Sequence, residues 1–134
     1  MAVIFPDIEK ILVSRLQESL DARAEPFAQD VAVSTIKPSS DVLPYPERMV
    51  VIRGDGGPRL DHVRKLERAG ITIWCNTYQE ASDLAHLVEA LVKELTVDGI
   101  KLVDIALSPV RVAEETQQEC RYMTIEAIMQ GTNL

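Results

Sequence analysis

Aromatic side chains are scarce. One Trp, three Tyr and two Phe make up 4% of the 134 residues, so a core must be built from aliphatic side chains. Long apolar runs are missing too, and none approaches the roughly 20 residues that a membrane-spanning helix needs. The opening MAVIFPDIEK has no basic n-region and no extended apolar h-region, so it does not read as a secretory signal. The expected setting is a cytosol-like compartment, or a particle assembled there. Cysteines number two and no C-x-x-C occurs, which removes zinc and thioredoxin-type signals. Cys75 and Cys120 each fall in an expected strand. They read as buried thiols, with a disulfide between them as the alternative.

Positive charge is in the minority: 14 Lys and Arg against 21 Asp and Glu give a net charge of −7. A duplex-DNA reader displays a basic patch or stripe, so that class is disfavoured. The acidic balance fits a solvated surface, or one that lets DNA pass without gripping it. Catalytic signatures are missing as well. No G-x-S-x-G elbow supports a hydrolase triad. The run Gly54-Asp55-Gly56-Gly57-Pro58 lacks the Gly-Lys-Ser/Thr ending of a phosphate loop, so its glycines read as turn chemistry. His86 lies between Asp83 and Glu89 on an outward helix face without an H-E-x-x-H pattern, and reads as an exposed histidine. Glu114-Glu115 reads as a solvated pair. The expectation is a structural or interaction protein: no catalytic residue, no metal ligand and no cofactor.

What the chain does contain is centred on Gly70 to Leu95. Ile71, Ile73 and Cys75 alternate with Thr72, Trp74 and Asn76, the period of a half-buried strand. Thr77 and Glu80 form Thr-x-x-Glu, a helix-start spacing in which each side chain can satisfy a backbone N–H. Ala81, Leu84, Ala85, Leu87, Val88, Leu91, Val92 and Leu95 follow as one apolar stripe. A first helix opens at Pro6-Asp7, carries Ile8, Ile11, Leu12, Leu16 and Leu20 on one face, and stops near residues 22–24 ahead of Pro26. Strands are expected over 30–36, 48–53, 100–107 and 119–130, with Pro109 ending the third of these. The 54–58 glycines stop the strand before them. Residues 37–47, with Pro38, Pro44 and Pro46, form the longest loop, and 110–118 an exposed turn or arm. Residues 59–69 are ambiguous. Leu60, Val63 and Leu66 have helical spacing, whereas a strand pairing with 71–76 through a tight turn at Arg68-Ala69-Gly70 is the other reading. The order of elements predicts a single α+β domain over 1–134, a mostly antiparallel sheet with two helices packed on one face. At this length a chain buries about two-thirds of its unfolded surface, enough for a core without staples.

Six stretches, in order along almost the whole chain, resemble tail terminator (tail completion) proteins of long-tailed bacteriophages, in particular those of actinobacterial phages. They are Pro6-Asp7-Ile8-Glu9, Met49 to Pro58, Ile71-Thr72-Ile73-Trp74-Cys75, Glu80 to Leu84-Ala85, Pro109-Val110-Arg111-Val112, and Arg121 to Glu126. The resemblance favours a strand in 59–69. It implies a homo-oligomeric ring, usually of six copies, that caps the head-proximal end of the tail tube and ends its polymerisation. It also implies a surface for the head-side connector or stopper protein. The implied partners are further copies of the chain, the tail tube protein and that head-side protein, with DNA passing through the lumen unread and no membrane involved. The expected place is the virion tail, after assembly in the host cytoplasm. Candidate ring or tube contacts are Pro38, Ser39, Asp41 and Tyr45 in the long loop, Arg53, Asp55 and Arg59 around the glycine turn, and Glu114 and Glu115. Competing expectations are another neck protein (head-completion or stopper), a small cellular ligand-binding domain, and a toxin–antitoxin or regulatory partner.

Overall fold

A computed structural model describes residues 2–113 and 117–134, apart from the side chain of Leu102. In chain order the elements are β1 (Val3–Ile4), α1 (Ile8–Asp21), a 3-10 turn (Pro26–Ala28), β2 (Ala32–Ser34), β3 (Arg48–Gly56) and β4 (Arg64–Cys75). They continue with α2 (Tyr78–Lys93), β5 (Ile100–Val112), β6 (Glu119–Gln130) and β7 (Thr132–Asn133). Both helices start where their caps predict. The Asp7 carboxylate accepts from the Lys10 N–H at 3.3 Å and the Thr77 hydroxyl from the Glu80 N–H at 3.2 Å. The Glu80 carboxylate is engaged elsewhere: it takes the Arg48 guanidinium at 3.1 Å, which ties the start of α2 to the start of β3. Thr77→Ala removes the cap and is expected to cost about 0.5–2 kcal/mol, read as a lower denaturant midpoint at unchanged slope.

Five strands form one sheet in the order β2-β3-β4-β6-β5, antiparallel except for β2 against β3. The fold is α+β, with both helices on one face. Val50 and Ile52 of β3, Ala69, Ile71 and Ile73 of β4, and Met123, Ile125 and Met129 of β6 form that face. They join Leu12, Leu16 and Leu20 of α1 and Leu84, Val88 and Val92 of α2 in one buried cluster. The short strands β1 and β7, absent from the sequence reading, pair beyond the far end of β4.

Four boundaries differ from expectation. The tight turn at Arg68-Ala69-Gly70 does not exist, because β4 runs unbroken through it and pairs with β3 and β6. Gly70 answers a close approach instead: a Cβ there would lie 2.7 Å from the Tyr122 hydroxyl, which crosses that position. Residues 64–69 are therefore strand, while 59–63 form a bend closed by the Arg59–Lys65 bridge. The strand β3 is not stopped at Gly54 but continues to Gly56, with the register shifting between them, so one glycine serves a bulge. Pro109 does not end β5. This strand lies at the sheet edge, where a missing N–H is tolerated, and its register shifts between Leu107 and Val110 absorb the ring. The strand expected over 30–36 shrinks to Ala32–Ser34.

The register also settles the thiols. Cys75 stands opposite Glu119, and Cys120 opposite Trp74. The two cysteines therefore face opposite sides of the sheet, and no disulfide joins them.

Candidate functional site

The sheet has two ends, separated by the twelve residues of β4, about 36–40 Å at strand rise. The sequence candidates divide between them. Pro38, Ser39, Asp41 and Tyr45 lie at the end where β3 begins. Arg53, Asp55 and Arg59 lie at the end where it stops. The structure does not bring the two groups together. Glu114 and Glu115 lie outside the described residues.

At the first end, the 37–47 loop is nailed down at its base. Tyr45 packs on Met49, Trp74 and Cys120, a small second core on the helix-free face. Its hydroxyl donates to the Pro38 carbonyl at 3.0 Å. The Lys37 ammonium sits 4.6 Å over the Trp74 ring. Gln118 donates to the Pro46 carbonyl and to the Asn76 side chain, both at 3.2 Å. The Ser39 hydroxyl donates to Asp41, which holds the Asp41 carboxyl below the usual carboxylate range. Above this base the loop presents Ile36 and Leu43, 77% and 88% exposed. A groove of about 610 Å³ runs between the loop and Gln117–Gln118, with Tyr45, Pro46 and Asn76 on its walls. Fixed backbone under exposed aliphatic side chains is the composition of a contact surface.

At the second end, Arg53 and Asp55 neutralise each other at 2.8 Å. Arg59 lies 4.9 Å over the Phe5 ring and donates to the Val3 carbonyl at 3.4 Å, so it holds the N-terminal segment to the sheet. Its role here is packing and clamping.

Two arrangements escaped the sequence reading. The Tyr78 ring lies between the guanidinium groups of Arg111, at 5.1 Å, and Arg121, at 4.6 Å. Glu119 accepts from both arginines, and the hydrogen bond from Arg111 leads in lowering its carboxyl pKa. Arg121 is buried and also donates to the carbonyls of Cys120 and Tyr78. A signal existed, since Arg121 shares the parity of Met123, Ile125 and Met129 and so had to face the helices. The second arrangement is at the β2 edge. The Gln17 amide donates to the Val31 carbonyl at 2.9 Å and accepts from the Val33 N–H at 3.1 Å. It thereby fills the slot that a neighbouring strand would take. Nothing in the local sequence around Gln17 marks that role.

Cys75 is chemically quiet. Burial, aided by the nearby Glu80 charge, pushes its thiol from 9.0 up to about 12. Iodoacetamide at pH 8 should leave it unmodified in the folded chain and label it once unfolded, a contrast that mass spectrometry reads. Below about pH 9 the thiol is protonated in both states and does not affect stability. Between about 9 and 12 the unfolded state loses its proton first. Stability then falls as pH rises, by up to about 1.4 kcal/mol per pH unit. In Cys75→Ala the decline of melting temperature above pH 9 should be shallower.

His86 is exposed and bonds the Ser82 carbonyl at 2.7 Å. Among the described residues no group of three or more His, Cys, Asp and Glu is placed to hold a metal ion, and no helix is long and apolar enough to cross a membrane. The described surfaces offer contact area and paired charge. No family model matches the chain, and no curated protein matches it in sequence.

Proposed function

We propose that this chain is a tail terminator subunit, a non-enzymatic virion protein. It caps the head-proximal end of a phage tail tube as a ring, ends tube growth and offers the surface that joins the head. The observation that carries the reading is the ordered resemblance, together with where its pieces fall. Met49 to Pro58, Ile71 to Cys75, Arg121 to Glu126 and Pro109 to Val112 lie on β3, β4, β6 and β5, four strands that neighbour one another in that order. Stretches scattered over the sequence thus form one continuous hydrogen-bonded ladder. In this reading the mechanism is assembly control. The partners are other copies of the chain, the tube protein and the head-side connector or stopper, and DNA passes through the lumen. The protein works in the virion after assembly in the host cytoplasm.

Electron microscopy of lysates from the parent phage with this gene disrupted tests the proposal. The expected result is overlong headless tubes beside filled heads. Tails of normal length beside leaking heads would assign the chain to the head side of the neck. Intact infectious particles would remove it from virion assembly.

A further inference from the structure

We propose that Gln17 is a movable plug: its carboxamide stands in for one residue of a parallel strand against β2, and its withdrawal opens that edge to the extended backbone of a peptide segment. The strand β2 lies at one edge of the sheet. Its inner side pairs in parallel with β3, Ala32 opposite Met49 and Ser34 opposite Val51. In a parallel ladder the bonds are evenly spaced and slanted, so a residue donates to the carbonyl before its opposite number and accepts from the N–H after it. Around Ala32 the Gln17 side chain does both. Its Nε2 donates to the Val31 carbonyl at 2.9 Å, and its Oε1 accepts from the Val33 N–H at 3.1 Å. An antiparallel neighbour in a hydrogen-bonded pair would exchange both bonds with a single residue. One side-chain amide therefore copies the pattern of a parallel neighbour.

Sheet edges are ordinarily blunted by proline, charge or bulges. The β5 edge has Pro109 and its register shifts. The β2 edge has none of these: Val31, Ala32, Val33 and Ser34 are uncharged, and the register with β3 is unbroken. Gln17 covers it instead. The helix that carries Gln17 is fixed, because Leu12, Leu16 and Leu20 are buried in the core. The plug itself is only half-buried, and one further bond, to the exposed Asp21 carboxylate at 3.0 Å, steadies it. Rotation about its side-chain torsions withdraws it while α1 stays in place. Space lies beside it, since a groove of about 610 Å³ runs between α1 and β2 with Val13, Ser14, Val33 and Ser34 on its walls. The N–H and carbonyl of one strand residue point to the same edge. The Val33 carbonyl therefore faces outward with its N–H and offers an incoming strand the next bond of the ladder. Recognition runs through main-chain amides, so the ligand class is an extended peptide with free amide N–H groups. The plug stands on the β2 geometry and is independent of the terminator role.

Amide hydrogen exchange and peptide titration, both followed by NMR, test it. Gln17→Met keeps the side-chain length and a good helix former but makes neither bond. Denaturation should show the variant folded. Its Val33 N–H should exchange roughly tenfold faster than in the wild type, or more, as expected for the loss of its hydrogen-bond partner. The probe is a capped peptide of residues 48–53, the stretch that already pairs in parallel with the inner side of β2. It should bind the variant, restore protection at Val33 and bind the wild type several-fold more weakly. The same peptide with N-methylated amides should not bind. Equal Val33 protection in variant and wild type would mean that Gln17 closes nothing. Equal peptide affinity for the two would remove the plug, and binding of the methylated peptide would remove strand addition. Protection of Val33 that returns with protein concentration alone would mean that a second copy takes the opened edge, and would overturn the peptide site.

Discussion

Ile71→Ala is expected to cost the fold about 2–5 kcal/mol, the range for deleting a fully buried branched side chain. Ile71 is 0% exposed at the centre of β4, between Ile52 on β3 and Met123 on β6. These neighbours are held by backbone ladders on both sides, so they cannot collapse into the space. The cavity term therefore adds to the lost transfer energy. With few aromatics to take up the slack, the aliphatic layer between sheet and helices carries most of the apolar burial. For a domain of this size such a loss is a large part of total stability. Equilibrium denaturation should show a much lower midpoint with an unchanged slope. A loss below about 1 kcal/mol would mean that the sheet–helix layer repacks, contrary to the close packing expected of an interior.

The second large effect is expected at Gly57. A Cβ there would lie 1.9 Å from the Leu66 carbonyl oxygen and 2.9 Å from its carbon. Both are backbone atoms, and Leu66 is itself tied to the Pro58 carbonyl at 2.9 Å. No rotamer change relieves the clash, so Gly57→Ala should cost about 1–3 kcal/mol or more through displacement of the β3–β4 turn. Gly56 is the control. Its φ of +73° is costly for most side chains, but nothing lies within 4 Å of its would-be Cβ. Gly56→Asn should be mild, because asparagine tolerates the left-handed region. Gly57→Asn should be severe. Thermal melts of the three variants separate steric from conformational cost. Equal losses at both positions would mean that the turn has shifted to accommodate the new side chain.

The elements that were legible in the sequence share a cause: their determinants are local. Asp7 and Thr77 cap helices within three residues of themselves. The alternation from Glu119 to Gln130 runs the full length of β6. The failures are equally local in origin. Gly70 and Pro109 are breakers by propensity, yet β4 and β5 pass through them. The Tyr122 side chain that explains Gly70 is contributed by another strand, and the edge position that tolerates Pro109 is a property of the whole sheet. The candidate contacts were legible only as loops. That Arg53 pairs with Asp55, and that Arg59 clamps Phe5 rather than facing solvent alone, required distances between residues that no spacing rule supplies.

By itself, then, the sequence determined the helix starts, the apolar faces and the α+β class. Each of these follows from side-chain chemistry read over one or two turns of chain. Only the tertiary structure decided the strand order, the opposite facing of Cys75 and Cys120 and the Gln17 guard on the β2 edge. Those features depend on which strands become neighbours. That choice is made by burying the faces of both helices against one sheet, a global packing condition that a local pattern constrains without specifying.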